Sequence, residues 1–215
     1  MFAVVQGFGP FGGLDRNPSE LLVRSLAGRG DAGIRTEVLP VSLDRVATEV
    51  PKLMEEFRPR VWLGVGLAAG RTALALEAVA VNLASWPESA ADADGVSVDR
   101  VPVAPGGPAA HLTTLPAEAI LTAWREAGIP GYLSQTAGSY LCNLSFYTAA
   151  EAARRLGLPC LVGFLHVPLL PELVTQPRQQ ASMSMALQSA GLDLVIEACR
   201  TAEAGGIYRG SSDEA

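Results

Sequence analysis

The sequence lacks several features that would assign it to common classes of protein. It has only two histidines and three cysteines, and no two cysteines are spaced as CxxC. No block of Lys and Arg occurs, and 16 basic against 22 acidic residues give a net charge of −6, which would repel a phosphate backbone. No apolar run approaches the roughly 20 residues that a membrane-spanning helix needs. These absences argue against a zinc ribbon, a disulfide framework, a nucleic-acid partner and a membrane protein.

The opening residues also lack the basic stretch of a secretory signal, because MFAVVQGFG turns to glycine and proline after a short apolar run. An odd number of cysteines without a disulfide pattern is typical of a reducing compartment, so we expect a cytoplasmic protein. A chain of 215 residues that is 49% hydrophobic is long enough to enclose one large core. We predict a single domain over 1–215 with a frayed tail from about residue 201.

Short apolar runs alternate with helix-like segments along the chain. This alternation predicts an α/β fold in which one twisted, largely parallel sheet is sandwiched between helices. Residues 83–116 are predicted as a loop with one short strand at 96–103. The predicted strands are 2–7, 34–41, 61–66, 72–82, 131–135 and 160–166, and the predicted helices are 18–27, 44–57, 116–127, 143–156 and about 179–200.

The glycine-rich segment 7–12 matches G-x-G-x-x-G and follows a strand, but its context argues against a dinucleotide site. The next helix is predicted to be capped by Asn17, well after the third glycine, and Pro10 removes a backbone donor that a pyrophosphate would need. The segment instead presents Phe8 and Phe11 on a flexible loop. We expect these rings to form a shallow pocket for a small, flat, uncharged ring, the alternative being that they only pack in the core.

The segment SQTAGSYLCNL at 134–144 places Cys142 where a helix begins. The positive end of the helix dipole is expected to lower the pKa of this thiol, and nearby backbone N–H groups are suited to hold an oxyanion. Cys160 in a strand and Cys199 in the last helix fit the usual interpretation of cysteine as a small buried hydrophobe. Cys142 is therefore the candidate nucleophile.

His166 ends an apolar strand and is the candidate base, because a polar side chain at the mouth of a buried strand needs a partner. His111 lies in a loop-rich stretch and could equally be solvated. Two histidines without H-E-x-x-H do not indicate a zinc site. Glu77 in an apolar strand is the candidate third member, with Arg71 as its companion, although the first could face solvent and the second could be a surface residue.

These segments together resemble the pyroglutamyl peptidase I family, also called pyrrolidone-carboxylate peptidases. The resemblance spans nearly the whole chain. It is carried by GFGPFGG with NPSE, LPVS at 39–42, GLAAGR with LEAVAVN, TLP, AGIP, TAGSYLCN and GFLHVPLLPE.

The resemblance implies an α/β cysteine peptidase that removes an N-terminal pyroglutamyl residue through a thioester, with Cys142, His166 and Glu77 as the catalytic set. It implies that a lactam pocket is lined by Phe8 and Phe11, helped by Tyr140 and Leu141, and we add Arg71 to the substrate-binding candidates. It also implies pyroglutamyl peptides as substrates, a homo-oligomer (tetramer or dimer), and no metal or organic cofactor.

The chain departs from the family pattern at a few positions. The family commonly has Gln where Leu67 stands, an aromatic residue where Glu20 stands, and often Tyr where His111 stands. The segment LASWPESAADADG after Asn82 is divergent and brings Trp86 close to a position that lines the pocket. Two alternatives are a catalytically idle homologue that binds a small molecule, and an α/β hydrolase or phosphorylase acting on another small amide or a nucleoside.

Overall fold

The computed structural model describes residues 1–174 and 180–205. Within these residues the helices are α1 (Pro18–Ala27), α2 (Leu43–Phe57), α3 (Ala117–Glu126), α4 (Leu141–Arg155) and α5 (Met185–Ala204). The strands are β1 (Ala3–Phe8), β2 (Ile34–Leu39), β3 (Val61–Leu67), β4 (Leu74–Glu77), β5 (Val79–Val81), β6 (Ala84–Trp86), β7 (Val98–Val101), β8 (Ala110–Leu112), β9 (Gly131–Ser134) and β10 (Leu161–Val167).

The central sheet has six strands in the order β2-β1-β3-β10-β4-β9. β2, β1, β3 and β10 are mutually parallel, whereas β4 pairs with β10 in the antiparallel sense and β9 runs parallel to β4. Helices α2 and α4 cover one face of the sheet, and α1, α3 and α5 cover the other. The predicted α/β sandwich with a largely parallel sheet is therefore confirmed.

Strand β10 shows how sequence alternation directs side chains to these two faces, because successive residues of a strand point in opposite directions. Val162 and Phe164 lie in the core that includes α2 and α4, and Leu161 and Leu165 lie in the core that includes α1, α3 and α5. His166 continues the first series. Its side chain is therefore directed to the face that α4 covers.

Helix α1 begins and ends where the sequence predicts. The Asn17 side chain accepts a hydrogen bond from the backbone N–H of Ser19 at 3.0 Å, Pro18 is the first helical residue, and Gly28 follows the last turn. The Asn17 amide also donates to the Gly9 carbonyl at 2.9 Å, which ties the glycine-rich loop to the helix start. This cap fixes the loop that carries Phe11, whereas Phe8, predicted on the same loop, is the last residue of β1.

The prediction of one strand over 72–82 is wrong, because the chain changes sheets at Ala78. β4 belongs to the central sheet, but β5 pairs with β8 in a separate two-stranded sheet. The Ala78 N–H donates to Ser134 and the Ala78 carbonyl accepts from Thr113, so this residue joins the two sheets. The apolar run did not reveal the break because β4 and the middle of β5 are both buried.

Residues 83–116 are more regular than predicted, since they contain β6, β7 and β8 rather than one strand. The last helix begins at Met185 and continues to Ala204, past the predicted end at Arg200. The predicted helix start at residue 179 and the part of the predicted tail beyond 205 lie outside the described residues. No helix in the described ranges has the length and apolar character needed to cross a membrane.

Candidate active site

Cys142 is the second residue of α4, at a helix start that no side chain caps. By contrast, α1, α2 and α5 begin with side-chain caps, from Asn17, Ser42 and Ser184 respectively. The first N–H groups of a helix have no partner within the helix. The uncapped start of α4 therefore leaves backbone donors next to the sulfur of Cys142.

Cys142 and His166 lie on the same face of the sheet. His166 pairs with Gly66 across β10 and β3, and paired residues of neighbouring strands direct their side chains to the same side. A β-carbon built at Gly66 would come within 2.7 Å of the Cys142 sulfur. The sulfur thus lies against the backbone of Gly66, directly beside the strand position of His166.

Glu77 meets His166 across the antiparallel pair of β4 and β10. Glu77 is paired with Phe164, so its side chain points to the same face as those of Phe164 and His166. The distance between Glu77 Oε1 and His166 Nδ1 is 2.7 Å. The Glu77 side chain is fully buried and the His166 residue is 5% exposed. The imidazole is therefore held through Nδ1, which leaves Nε2 as the nitrogen available for proton transfer.

Arg71 lies in the connection between β3 and β4 and binds the same carboxylate. Its Nη1 donates to Glu77 Oε1 at 2.7 Å, and its guanidinium carbon lies 5.9 Å from the centre of the Tyr132 ring. Arg71 therefore is a companion of Glu77, as the sequence suggested. It is not among the residues that line the cavity beside Cys142.

A cavity of about 90 Å³ opens beside the sulfur of Cys142. All four aromatic or aliphatic candidates from the sequence line it, together with three residues that sequence reasoning had not assigned to it. The lining residues are Phe8, Phe11, Tyr140, Leu141, Cys142, Asn17, Val41 and Leu67. The Phe11 and Tyr140 ring centres are 5.7 Å apart, and Trp86 stacks edge-on against Tyr140 at 4.9 Å.

The missed lining residues have different explanations. Asn17 gave a clear signal, but for the helix cap, and the structure shows that it does cap α1 while also facing the cavity. Val41 lies two residues beyond the end of β2 and gave no polar or glycine signal. Leu67 was noted only as a departure from a family pattern. Val41 follows the end of β2 and Leu67 ends β3, and this position was the one feature that could have pointed to both residues.

Burial dominates the electrostatics of the site. It raises the pKa of the Cys142 thiol to about 12, with a further increase from the Glu77 carboxylate, while Arg71 and the thiol's own backbone N–H oppose the rise. Burial also lowers the pKa of His166, against the effect of its hydrogen bond to Glu77. The backbone at the helix start lowers the thiol pKa as predicted, but burial outweighs it, so the predicted net lowering is wrong. Both shifts favour the uncharged forms, a thiol and a neutral imidazole.

The remaining cysteines and the second histidine lie elsewhere. Cys160 and Cys199 are buried in the apolar cores, and burial raises the pKa of each thiol to about 12. His111 Nε2 lies 3.1 Å from Glu151 Oε2, and this carboxylate also binds the Arg154 and Arg155 guanidinium groups. His111 therefore takes part in an ion-pair cluster on α4. Among residues 1–174 and 180–205, no three His, Cys, Asp or Glu side chains cluster as metal ligands would.

Comparisons with known proteins agree on one family. The model of the family described as pyroglutamyl peptidase matches residues 1–202. A pyrrolidone-carboxylate peptidase from Pyrococcus furiosus is 39% identical over 176 residues, covering 81% of this chain and 84% of that protein. Pyrrolidone-carboxylate peptidase 1 from Ralstonia nicotianae is 40% identical over 199 residues, covering 90% of each chain.

Solved structures show the same fold. A mutant pyrrolidone carboxyl peptidase from Pyrococcus furiosus has a TM-score of 0.87 at 34% identity, covering 94% of this chain and 99% of that chain. The pyrrolidone carboxyl peptidase from Thermococcus litoralis has a TM-score of 0.88 at 28% identity and covers 94% of each chain.

Proposed function

The chain belongs to the pyroglutamyl peptidase family, and from this we propose that it hydrolyses the bond that follows an N-terminal pyroglutamyl residue. We assign Cys142 as nucleophile, His166 as general base and acid, and Glu77 as the group that orients the imidazole. One observation carries the assignment. A buried Glu77–His166 hydrogen bond and the Cys142 sulfur lie on one face of the sheet, beside an apolar cavity.

The cavity suits a pyroglutamyl ring. Its lactam nitrogen cannot become an ammonium, so a binding site needs no carboxylate to pair with it. The polar side chain of Asn17 is occupied by the Gly9 carbonyl and by Ser19, which leaves mainly aromatic and aliphatic walls. We assign Phe8, Phe11, Tyr140 and Leu141 to this pocket. A flat, uncharged ring fits between aromatic walls better than a charged amino terminus would.

The geometry supports acyl transfer through a thioester. His166 Nε2 takes the proton of Cys142 as the sulfur attacks the pyroglutamyl carbonyl, and the uncapped N–H groups of α4 stabilise the oxyanion. The imidazolium then protonates the leaving amine, and the sulfur remains bound to the acyl carbon. His166 next takes a proton from water, which attacks the thioester and releases pyroglutamate with the regenerated thiol. Glu77 holds the Nδ1–H tautomer throughout.

The decisive experiment is hydrolysis of a chromogenic pyroglutamyl amide by wild type and cysteine variants. We expect activity in wild type, loss of at least about 1,000-fold in Cys142→Ser, and near-normal activity in Cys160→Ser and Cys199→Ser. The matching prolyl amide tests the pocket. The prolyl ring nitrogen is cationic, so we expect no cleavage of this amide.

Other outcomes would identify the alternatives. A wild-type protein that cleaves neither amide but binds pyroglutamate would be an idle binding homologue. Turnover of a nucleoside or of another small amide in place of the pyroglutamyl amide would contradict the proposed substrate class.

We further propose that the protein acts in the cytoplasm as a homo-oligomer, either a tetramer or a dimer. All three cysteines are unpaired in the structure, which suits a reducing compartment. Light scattering on the purified protein would give the oligomer size, and cell fractionation would give the location.

A further inference from the structure

The connection between β3 and β4 carries Arg71 across the carboxyl end of β10. The Ala68 N–H donates to the Val167 carbonyl at 2.9 Å, and the Arg71 N–H donates to the Ala68 carbonyl at 3.2 Å. Gly70 between them has φ +89, a conformation that suits the third position of a type II turn and favours glycine. The turn therefore fixes the backbone of Arg71 relative to the strand that bears His166.

Arg71 and His166 bind one oxygen of one carboxylate. Glu77 Oε1 accepts from Arg71 Nη1 at 2.7 Å and lies 2.7 Å from His166 Nδ1. The second oxygen, Oε2, is buried and has no hydrogen-bond partner within the described part of the chain. Among the residues that the structure describes, these two donors alone orient the Glu77 carboxylate.

Arg71 also provides the positive charge that a fully buried carboxylate needs. A buried carboxylate is costly without a cation or strong donors, and the neutral imidazole of His166 is a weaker partner than a guanidinium. The Arg71 side chain is 25% exposed, so it reaches from the surface to a carboxylate with no exposure at all. Its contacts are with Glu77 and the Tyr132 ring rather than with the cavity beside Cys142.

We propose that Arg71 is a positioning residue that holds the Glu77 carboxylate directed at His166 and, through its own charge, sets the acid limit of activity. This inference rests on the proposed function. It gives Arg71 a positioning role in place of the substrate-binding role expected from the sequence. Arg71 acts through Glu77 and touches neither the substrate nor the reacting atoms.

The expected pH effect has a definite sign. The titratable groups that act on His166 are Glu77 from β4 and Arg71 from the turn, and the Cys142 thiol of α4 lies against Gly66, the strand partner of His166. Arg71 opposes a positive charge on the imidazole, whereas Glu77 favours it. Without the Arg71 cation, His166 should take up a proton at higher pH. Because the base must be neutral to accept the thiol proton, the acid limb of kcat/KM should move upward.

The first test compares Arg71→Met and Arg71→Lys on a chromogenic pyroglutamyl amide. For Arg71→Met we expect kcat to fall about 10- to 100-fold, KM to change less than about threefold, and the acid limb to move to higher pH. Arg71→Lys should restore part of kcat and of the pH profile. Arg60→Met is the matched control, because it removes a cation from an ion pair with Glu203 away from the site.

A double-mutant cycle separates positioning from substrate binding. In a Glu77→Gln background, Arg71→Met should lower the remaining rate less than about twofold, because both changes disrupt the same hydrogen-bonded arrangement around His166. A rise in KM at unchanged kcat in Arg71→Met would overturn the proposal. A loss of rate in the Glu77→Gln background as large as the loss in wild type would also overturn it. Wild type without pyroglutamyl amidase activity would refute the proposed function instead. An NMR titration of the His166 imidazole still tests the Arg71–His166 coupling in that case, and an unshifted titration in Arg71→Met would overturn it.

The turn offers a second route if Arg71→Met folds poorly. A β-carbon at Gly70 meets no atom within 4 Å, so Gly70→Ala strains only the backbone that aims Arg71. Gly30 has φ +72 and equally open space, in the connection between α1 and β2, and Gly30→Ala is its matched control. We expect the upward shift of the acid limb in Gly70→Ala and none in Gly30→Ala. Identical profiles in the two variants would contradict the proposal.

Discussion

Gly66 of β3 forms the surface on which the sulfur of Cys142 rests. A β-carbon at this position would lie 2.7 Å from the sulfur and 2.9 Å from the ring of Phe164. Real β-carbons do not approach other atoms so closely, so any larger residue would displace the thiol, the ring or both. Glycine at this point of the strand lets the start of α4 approach the sheet and brings the sulfur to the strand of His166.

We therefore expect Gly66→Ala to lower kcat by about 100-fold, because a shift of the sulfur by about 1 Å disturbs its alignment with His166. Steady-state kinetics on the pyroglutamyl amide will measure the loss, and thermal unfolding will report any change in stability. Gly28→Ala is the control, since Gly28 has φ −63 and its added β-carbon would meet its nearest atom at 3.5 Å. Normal kinetics in Gly66→Ala would show that the sulfur does not occupy this position during catalysis.

The protonation state of Cys142 gives a second prediction. Because burial raises the pKa of its thiol to about 12, the free protein should react slowly with iodoacetamide at neutral pH. The rate should keep rising with pH through about pH 9, without the plateau that a preformed thiolate would give at lower pH. Mass spectrometry of the labelled peptide follows Cys142 separately from Cys160 and Cys199. A rate that is constant between about pH 6 and 8 would contradict this prediction.

Much of the site was readable from the sequence because its members stand out from their surroundings. Cys142 follows a strand and a glycine turn, His166 ends an apolar strand, and Glu77 interrupts another. The fold class was equally accessible, since strands and helices alternate and α1 has a clear Asn17 cap. Such local signals predict which elements exist and which end of the sheet bears polar groups.

The sequence could not give the properties that depend on long-range packing. The change of sheets at Ala78 depends on partners in β8 and β9, which are distant in sequence. The raised pKa of the Cys142 thiol follows from its burial under neighbouring elements, which outweighs the helix dipole visible in the local pattern. Val41 reaches the cavity only because of where the loop after β2 lies.

The two phenylalanines of the pocket should separate binding from stability. Phe8 is 3% exposed and belongs to the main core, whereas Phe11 is only partly buried against it. We expect Phe11→Ala to raise KM for the pyroglutamyl amide about tenfold with a small change in stability. Phe8→Ala should also lower the free energy of unfolding by about 3 kcal/mol or more, because it leaves a core cavity. An unchanged KM in Phe11→Ala would remove this ring from the substrate pocket.

Glu151 provides a prediction about stability in acid. This side chain is 5% exposed, and hydrogen bonds from Arg154, Arg155 and His111 lower the pKa of its carboxyl from 4.5 to about 2. A carboxyl whose pKa is lower in the folded state stabilises that state fully above its unfolded pKa. The contribution is lost as the pH falls from about 4.5 towards 2. We therefore expect Glu151→Gln to destabilise the protein by roughly 1–3 kcal/mol near neutral pH, allowing for the exposure of both arginines.

The destabilisation by Glu151→Gln should shrink as the pH falls below 4.5, because protonation then removes the same charge from the wild type. Urea unfolding of both proteins at several pH values gives the difference directly. Glu49→Gln on α2 is the control, since Glu49 also binds an arginine and a lysine but has no histidine partner among the described residues. The difference in the free energy of unfolding could instead stay constant down to about pH 3. In that case the charge of Glu151 does not hold β8 against α4 through His111.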